Sequence, residues 1–130
     1  MKQQDVNLTP EQQLQMAIDK GKKKFGKVYK TIIADEAIVW RKLKRSEYKE
    51  IMSLVIYDEV EKQDENGNKF IDEVEDPDRT YDARQEAIAE LVILYPNKSI
   101  VEDMAAVADI ISTECMIKSG FGETPVTEEC

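Results

Sequence analysis

The sequence predicts an α+β fold, mainly helical, with an N-terminal helical arm, one β-hairpin, then three helices with an acidic loop between the first two. Three observations predict it. β-Branched and aromatic residues crowd both sides of Ala34-Asp35-Glu36-Ala37, and apolar residues recur at helical spacing after Ser46, after Tyr81 and after Ser99. Between Gln63 and Thr80 that periodicity gives way to Asp, Glu, Asn, Gly and Pro. With 130 residues, 42% of them hydrophobic and 35% charged, the chain can bury one core without disulfides or metal.

The arm begins at Leu8-Thr9-Pro10-Glu11-Gln12, where Thr9 can cap, Pro10 suits the first helical position and Gln12 completes a capping box. Its apolar face is thin (Leu14, Ala17, Ile18), and Gly21 followed by lysines is expected to end the helix near Lys20. Residues 1–26 therefore read as arm and basic linker, and residues 27–121 as a single domain. From Lys27 to Leu43, Val28, Ile32, Ile33, Ile38, Val39 and Trp40 predict the hairpin. Ser46 is expected to cap a helix reaching about Lys62, with Tyr48, Ile51, Met52, Val55 and Val60 on one stripe. The acidic excursion over residues 63–80 has its turn at Asn66-Gly67 and suits a small surface hairpin. A helix over Tyr81–Leu94 stops at Pro96, and a capping box at Ser99 and Glu102 starts the last one. Ser119-Gly120 closes that helix as a glycine C-cap, leaving residues 122–130 as a flexible tail.

Charge is divided unevenly. Residues 1–50 hold 12 Lys/Arg against 7 Asp/Glu, and residues 51–130 hold 6 against 20. The net charge of −9 argues against nucleic acid as a partner, because affinity for phosphate backbones needs clustered cations that release counterions. The run Lys20, Lys22, Lys23, Lys24, Lys27, Lys30 reads as a solvated face, its alternative being a patch that docks an acidic surface. The sequence shows no membrane-spanning run and no secretory signal, so an intracellular location is expected and Cys115 and Cys130 read as free thiols.

Catalytic machinery is not expected, and no cofactor is implied. Histidine, the usual general base and commonest transition-metal ligand, is absent, and the five glycines stand apart rather than forming a phosphate loop. Cys115 follows Glu114 and Cys130 follows Glu128 and Glu129, a setting that disfavours thiolates. A carboxylate enzyme would need two converging acids in a pocket. Asp64, Asn66, Asn68, Phe70, Asp72 and Glu75 fall at positions 1, 3, 5, 7, 9 and 12 of a calcium-binding EF-hand loop. Position 6, however, is Lys69 where glycine is wanted, and Pro77 falls in the exiting helix. A turn in an acidic loop is the favoured reading; a calcium-binding interaction module is the alternative.

The segment Trp40-Arg41-Lys42-Leu43-Lys44-Arg45-Ser46-Glu47-Tyr48 has a recognisable pattern. A strand ending in aromatic-Arg-x-Leu, then a basic residue, a capping Ser/Thr and Glu-Tyr opening a helix, resembles the small tail assembly chaperone and baseplate-hub assembly proteins of contractile-tailed bacteriophages. Phe25-Gly26-Lys27-Val28-Tyr29, Leu94-Tyr95-Pro96 and Ser119-Gly120-Phe121 are similar to further parts of that pattern, so the likeness covers about residues 25–121. The acidic excursion is longer than the pattern's. The resemblance implies a non-enzymatic factor that holds or delivers tail or baseplate components in the host cytoplasm, or a component retained in the virion. The partners it implies are tail or baseplate proteins or further copies of the chain. Arg41, Lys44, Arg45 and Phe121 are the expected partner-binding residues, while Trp40, Tyr29 and Tyr48 are expected to pack in the core.

Overall fold

In the computed structural model, which describes residues 8–122 and 125–130, the chain is α+β and helix residues outnumber strand residues. Helix α1 (Pro10–Phe25) carries the capping box expected at Thr9 and Gln12 but runs past Gly21 to a C-cap at Gly26. The expected stop is corrected for a packing reason. Gly21 is buried, and a Cβ there would lie 2.9 Å from Val28 Cγ1 and 3.0 Å from Leu94 Cδ1. The missing side chain lets α1 lie against the strands Glu36–Trp40 and Ile93–Tyr95, so the element is docked on the domain rather than standing off as an arm.

The first hairpin is formed by β1 (Tyr29–Ile33) and β2 (Glu36–Trp40), in register from Tyr29↔Trp40 to Ile33↔Glu36. Its turn residues Ala34 and Asp35 both take positive φ, 48° and 67°, the two-residue turn whose twist matches antiparallel strands. Strand β5 (Ile93–Tyr95) pairs with the other edge of β2, with an irregularity between Val39 and Trp40. That places β2 in the middle of a three-stranded sheet and accounts for the complete burial of Ile38, Val39 and Trp40. Ile88, Ala89, Val92, Val107, Ile111 and Cys115 close over the sheet as one core.

Two expected helices are shorter than the sequence suggests. Helix α2 (Arg45–Met52) starts from an N-cap at Lys44, with Ser46 inside its first turn, and ends at Ser53 instead of Lys62. Its last carbonyl finds a partner far along the chain: Arg84 donates to Met52 O at 2.8 Å and, just beyond the helix, to Leu54 O at 2.9 Å. Residues expected to continue that helix form β3 (Tyr57–Gln63), paired with β4 (Lys69–Glu75) in a second hairpin. The surface hairpin read from the acidic segment is thus present, but it begins earlier. Helix α3 (Pro77–Val92) starts before the expected Tyr81, with Pro77 in its first turn and Asp76 accepting from the Arg79 N–H at 3.1 Å. Its expected final residues become β5.

The last expected helix is broken. Ser99 makes no side-chain cap bond; α4 (Ile100–Asp103) and α5 (Val107–Lys118) are separated by residues 104–106. The expected closure at Gly120 is present, since Gly120 N–H donates to Ile117 O and Phe121 N–H to Met116 O at 3.0 and 2.9 Å, with Gly120 at φ 104°. Parts of the expected arm and tail, residues 1–7 and 123–124, lie outside the described residues, and residues 125–130 hold neither helix nor strand. Among the described residues no helix is long and apolar enough to cross a membrane.

Candidate protein-docking surface

Residues far apart in the chain meet where β2 runs into α2. Arg41 follows the buried strand and points inward, with Glu47 receiving its guanidinium through Nη1 at 2.8 Å and Nη2 at 2.9 Å. Glu47 Oε1 also accepts from the Lys44 backbone N–H at 2.9 Å, so one carboxylate caps α2 and neutralises Arg41. The Arg41 side chain and this backbone bond hold the Glu47 carboxyl below its usual range, against the opposing effect of burial. The Phe25 ring centroid lies 4.7 Å from the guanidinium carbon. Arg41 N–H donates to Val92 O at 3.1 Å, and the Cys115 thiol donates to Arg41 O at 3.7 Å. The expected partner-facing role for Arg41 is therefore corrected: the residue is buried, and its two terminal nitrogens are held by Glu47 and by the Lys42 and Leu91 carbonyls, with only Nε left without a partner among the described residues. Cys115 packs as expected, completely buried, and burial pushes its thiol pKa up.

The other three expected docking residues stay at the surface and are brought together. Lys44 and Arg45 are exposed, and the Arg45 guanidinium carbon sits 5.9 Å from the Tyr48 ring centroid. Tyr48 stacks on Phe121, centroids 4.7 Å apart. The α5 cap aims Phe121 at α2, and Ser119 Oγ accepts from Leu43 N–H at 3.3 Å. Trp40 packs in the core as expected, donating through Nε1 to Thr31 Oγ1 at 2.8 Å, with the half-buried Tyr29 stacked on it at 4.8 Å.

Phe121 also closes one end of an open groove of about 390 Å³ between α3 and α5. Met52, Ile88, Met116 and Ile117 give the groove an apolar floor, and Tyr81, 62% exposed, stands at its side. A groove of this size suits a few anchoring side chains of a partner. The sequence reading missed Tyr81, Met116 and Ile117, because apolar side chains at helical spacing read as core. Tyr81 lies on the same stripe of α3 as the buried Ile88 and Val92, seven and eleven residues further on, so spacing gives no signal for it; its place in the first turns of the helix is what leaves it exposed.

The twelve positions with calcium-loop spacing do not form such a loop. Asp64 Oδ1 accepts from the Asn66 and Asn68 N–H groups, at 2.9 and 2.8 Å, inside the hairpin turn. Lys69 to Glu75 are strand residues, so Phe70 and Asp72 share one face while Glu75 lies on the other. Asp72 is taken by Lys62 at 2.7 Å. Among the described residues no group of three or more metal-binding side chains converges. Searches against family models, curated proteins and solved structures gave no match.

Proposed function

We propose that this chain is a non-enzymatic protein-binding factor in phage tail or baseplate assembly, holding or delivering a component in the host cytoplasm. The observation that carries the reading is convergence. The four segments that resemble the assembly-protein pattern meet in one place: Phe25 covers Arg41, Tyr29 stacks on Trp40 across the first hairpin, the 94–95 segment pairs beside β2, and Phe121 stacks on Tyr48. Their meeting in one place supports reading them as parts of one pattern. Two of the residues, Arg41 and Glu47, build the frame; Phe121, Lys44 and Arg45 face outward from it beside the groove.

The chemistry of this surface suits a client segment with apolar anchors for Tyr81, Ile117 and Phe121 and an acidic flank for Lys44 and Arg45. Glu47 is locked by Arg41 and by the helix cap, which fits a structural role rather than proton transfer. The test is genetic. Deleting the coding sequence from the phage should leave heads without completed tails under the electron microscope. The wild-type chain should restore tails, whereas Phe121→Glu or Tyr81→Glu should not. Normal tails in the deletion strain would overturn the proposal, and stoichiometric copies in purified virions would identify the chain as a retained component.

A further inference from the structure

The β3–β4 hairpin is the part of the fold that its own chain leaves most open. Its strands pack on each other, while α1 packs on β2 and β5. At the base, Asp76 N–H donates to Ile56 O and Ile56 N–H to Thr80 Oγ1, both at 2.9 Å. Beyond that base the hairpin projects with both faces accessible, and a two-stranded hairpin is marginal in water by itself.

The register assigns each side chain to a face. Tyr57, Glu59, Glu61, Ile71, Glu73 and Glu75 share one, with Gln63 and Lys69 at its turn end, Glu59 directly opposite Glu73 and Tyr57 opposite Glu75. Tyr57 and Ile71 there are 55% and 60% exposed. Glutamates placed directly across a ladder repel each other, a cost that a cation from outside would turn into attraction. Lys69 reaches only Glu61, at 3.7 Å. From Tyr57 to Asp76 the chain carries nine carboxylates against two lysines.

The matching surface exists on the same molecule. Lys20, Lys22, Lys23 and Lys24 end α1, Lys27 and Lys30 follow, all six are exposed, and residues 20–34 contain no acid. Among the described residues the main contacts of α1 are with β2 and β5, and those of the hairpin are between its own two strands, so the two surfaces are free to meet between molecules. We propose that the acidic face of the β3–β4 hairpin docks on the lysine-rich end of α1 of a second copy of this chain. Because the two patches differ, the contact is head-to-tail: each copy offers one of each, and growth continues until a ring closes. This association is separate from the groove and does not depend on the client bound there.

Sedimentation of the purified full-length chain tests it. In about 10 mM salt, where screening extends about 30 Å, mass should rise with concentration above the 14.9 kDa of one chain. In about 1 M salt, where screening is about 3 Å, association should weaken at least about tenfold. Two double variants complete the test. Glu59→Lys with Glu73→Lys exchanges one like-charge pair for another, leaving the hairpin's internal balance similar, and Lys22→Glu with Lys23→Glu reverses charge at exposed helix positions. Each should sediment as one chain, and mixing the two should yield a complex of two chains, since each retains the surface the other lacks. A single-chain mass at every concentration in low salt would overturn the proposal. So would association indifferent to salt, or variants that stay apart when mixed while the wild type associates.

Discussion

The Arg41–Glu47 and Lys62–Asp72 ion pairs have nearly the same length, 2.8 and 2.7 Å, and stand in two regions with opposite surroundings. The first lies where β2, α2 and α5 meet, with side chains 9% and 21% exposed; the second lies on the projecting hairpin, at 44% and 45%. Separation therefore says little about what each pair contributes. Burial decides: in the first region removing one partner strands a charge away from water, while in the second water and salt replace whatever is lost. One region is a frame whose parts require each other, and the other is an appendage.

That contrast orders the expected effects of mutation. Trp40→Ala, which empties the centre of the frame, should lower unfolding free energy by about 3–5 kcal/mol in urea titration. Glu47→Ala should cost about 3 kcal/mol by the same measurement, because the Arg41 guanidinium stays buried without its counter-ion. The pH dependence has a definite sign. The Glu47 carboxyl is held low in the folded state by Arg41, so its contribution is full above its unfolded pKa of about 4.5 and is lost as pH falls through the lower folded value. Glu47→Gln should flatten the acid limb of the stability curve. Asp72 is also held low, by Lys62, but its side chain is open to solvent on the hairpin, and Asp72→Asn should leave that limb nearly unchanged.

Gly21→Leu should cost about 1–3 kcal/mol by overpacking the contact of α1 with Val28 and Leu94. A cost below that range would mean that α1 behaves like the appendage. The smallest effects belong to the hairpin. Lys62→Ala should change stability by less than about 0.5 kcal/mol. Replacing residues 57–75 with a short Gly-Ser link between Ile56 and Asp76, already joined by a backbone bond, should leave thermal unfolding of the frame within about 1 kcal/mol of wild type. A large loss there would erase the distinction between frame and appendage.

Elements marked by short-range chemistry were legible in the sequence. Thr9-Pro10-Gln12 announces the start of α1, β-branched density announces the first hairpin, Asn66-Gly67 announces the second turn, and Ser119-Gly120 announces the end of α5. Of the docking residues, Lys44, Arg45 and Phe121 emerge at the surface, but Arg41, equally basic and adjacent in sequence, is buried. Nothing local separates them, because its fate depends on Glu47, on the ring of Phe25 and on the carbonyls of Leu91 and Val92.

By itself the sequence determined the α+β class, the capping box at Thr9 and the closure at Gly120, the two hairpin turns, the absence of histidine chemistry and the division of charge between the two ends of the chain. These depend on residue identity or on partners within a few positions. Only the tertiary structure decided that α2 stops at Met52, that residues 57–63 and 93–95 become strands, and that α1 lies on the sheet. In each case the deciding partner is distant: Arg84 for the end of α2, strand β2 for residues 93–95, and Val28 and Leu94 for Gly21. Helical spacing records a segment's own periodicity, whereas a strand is stabilised by the neighbour it pairs with, and that neighbour is fixed only when the chain has folded.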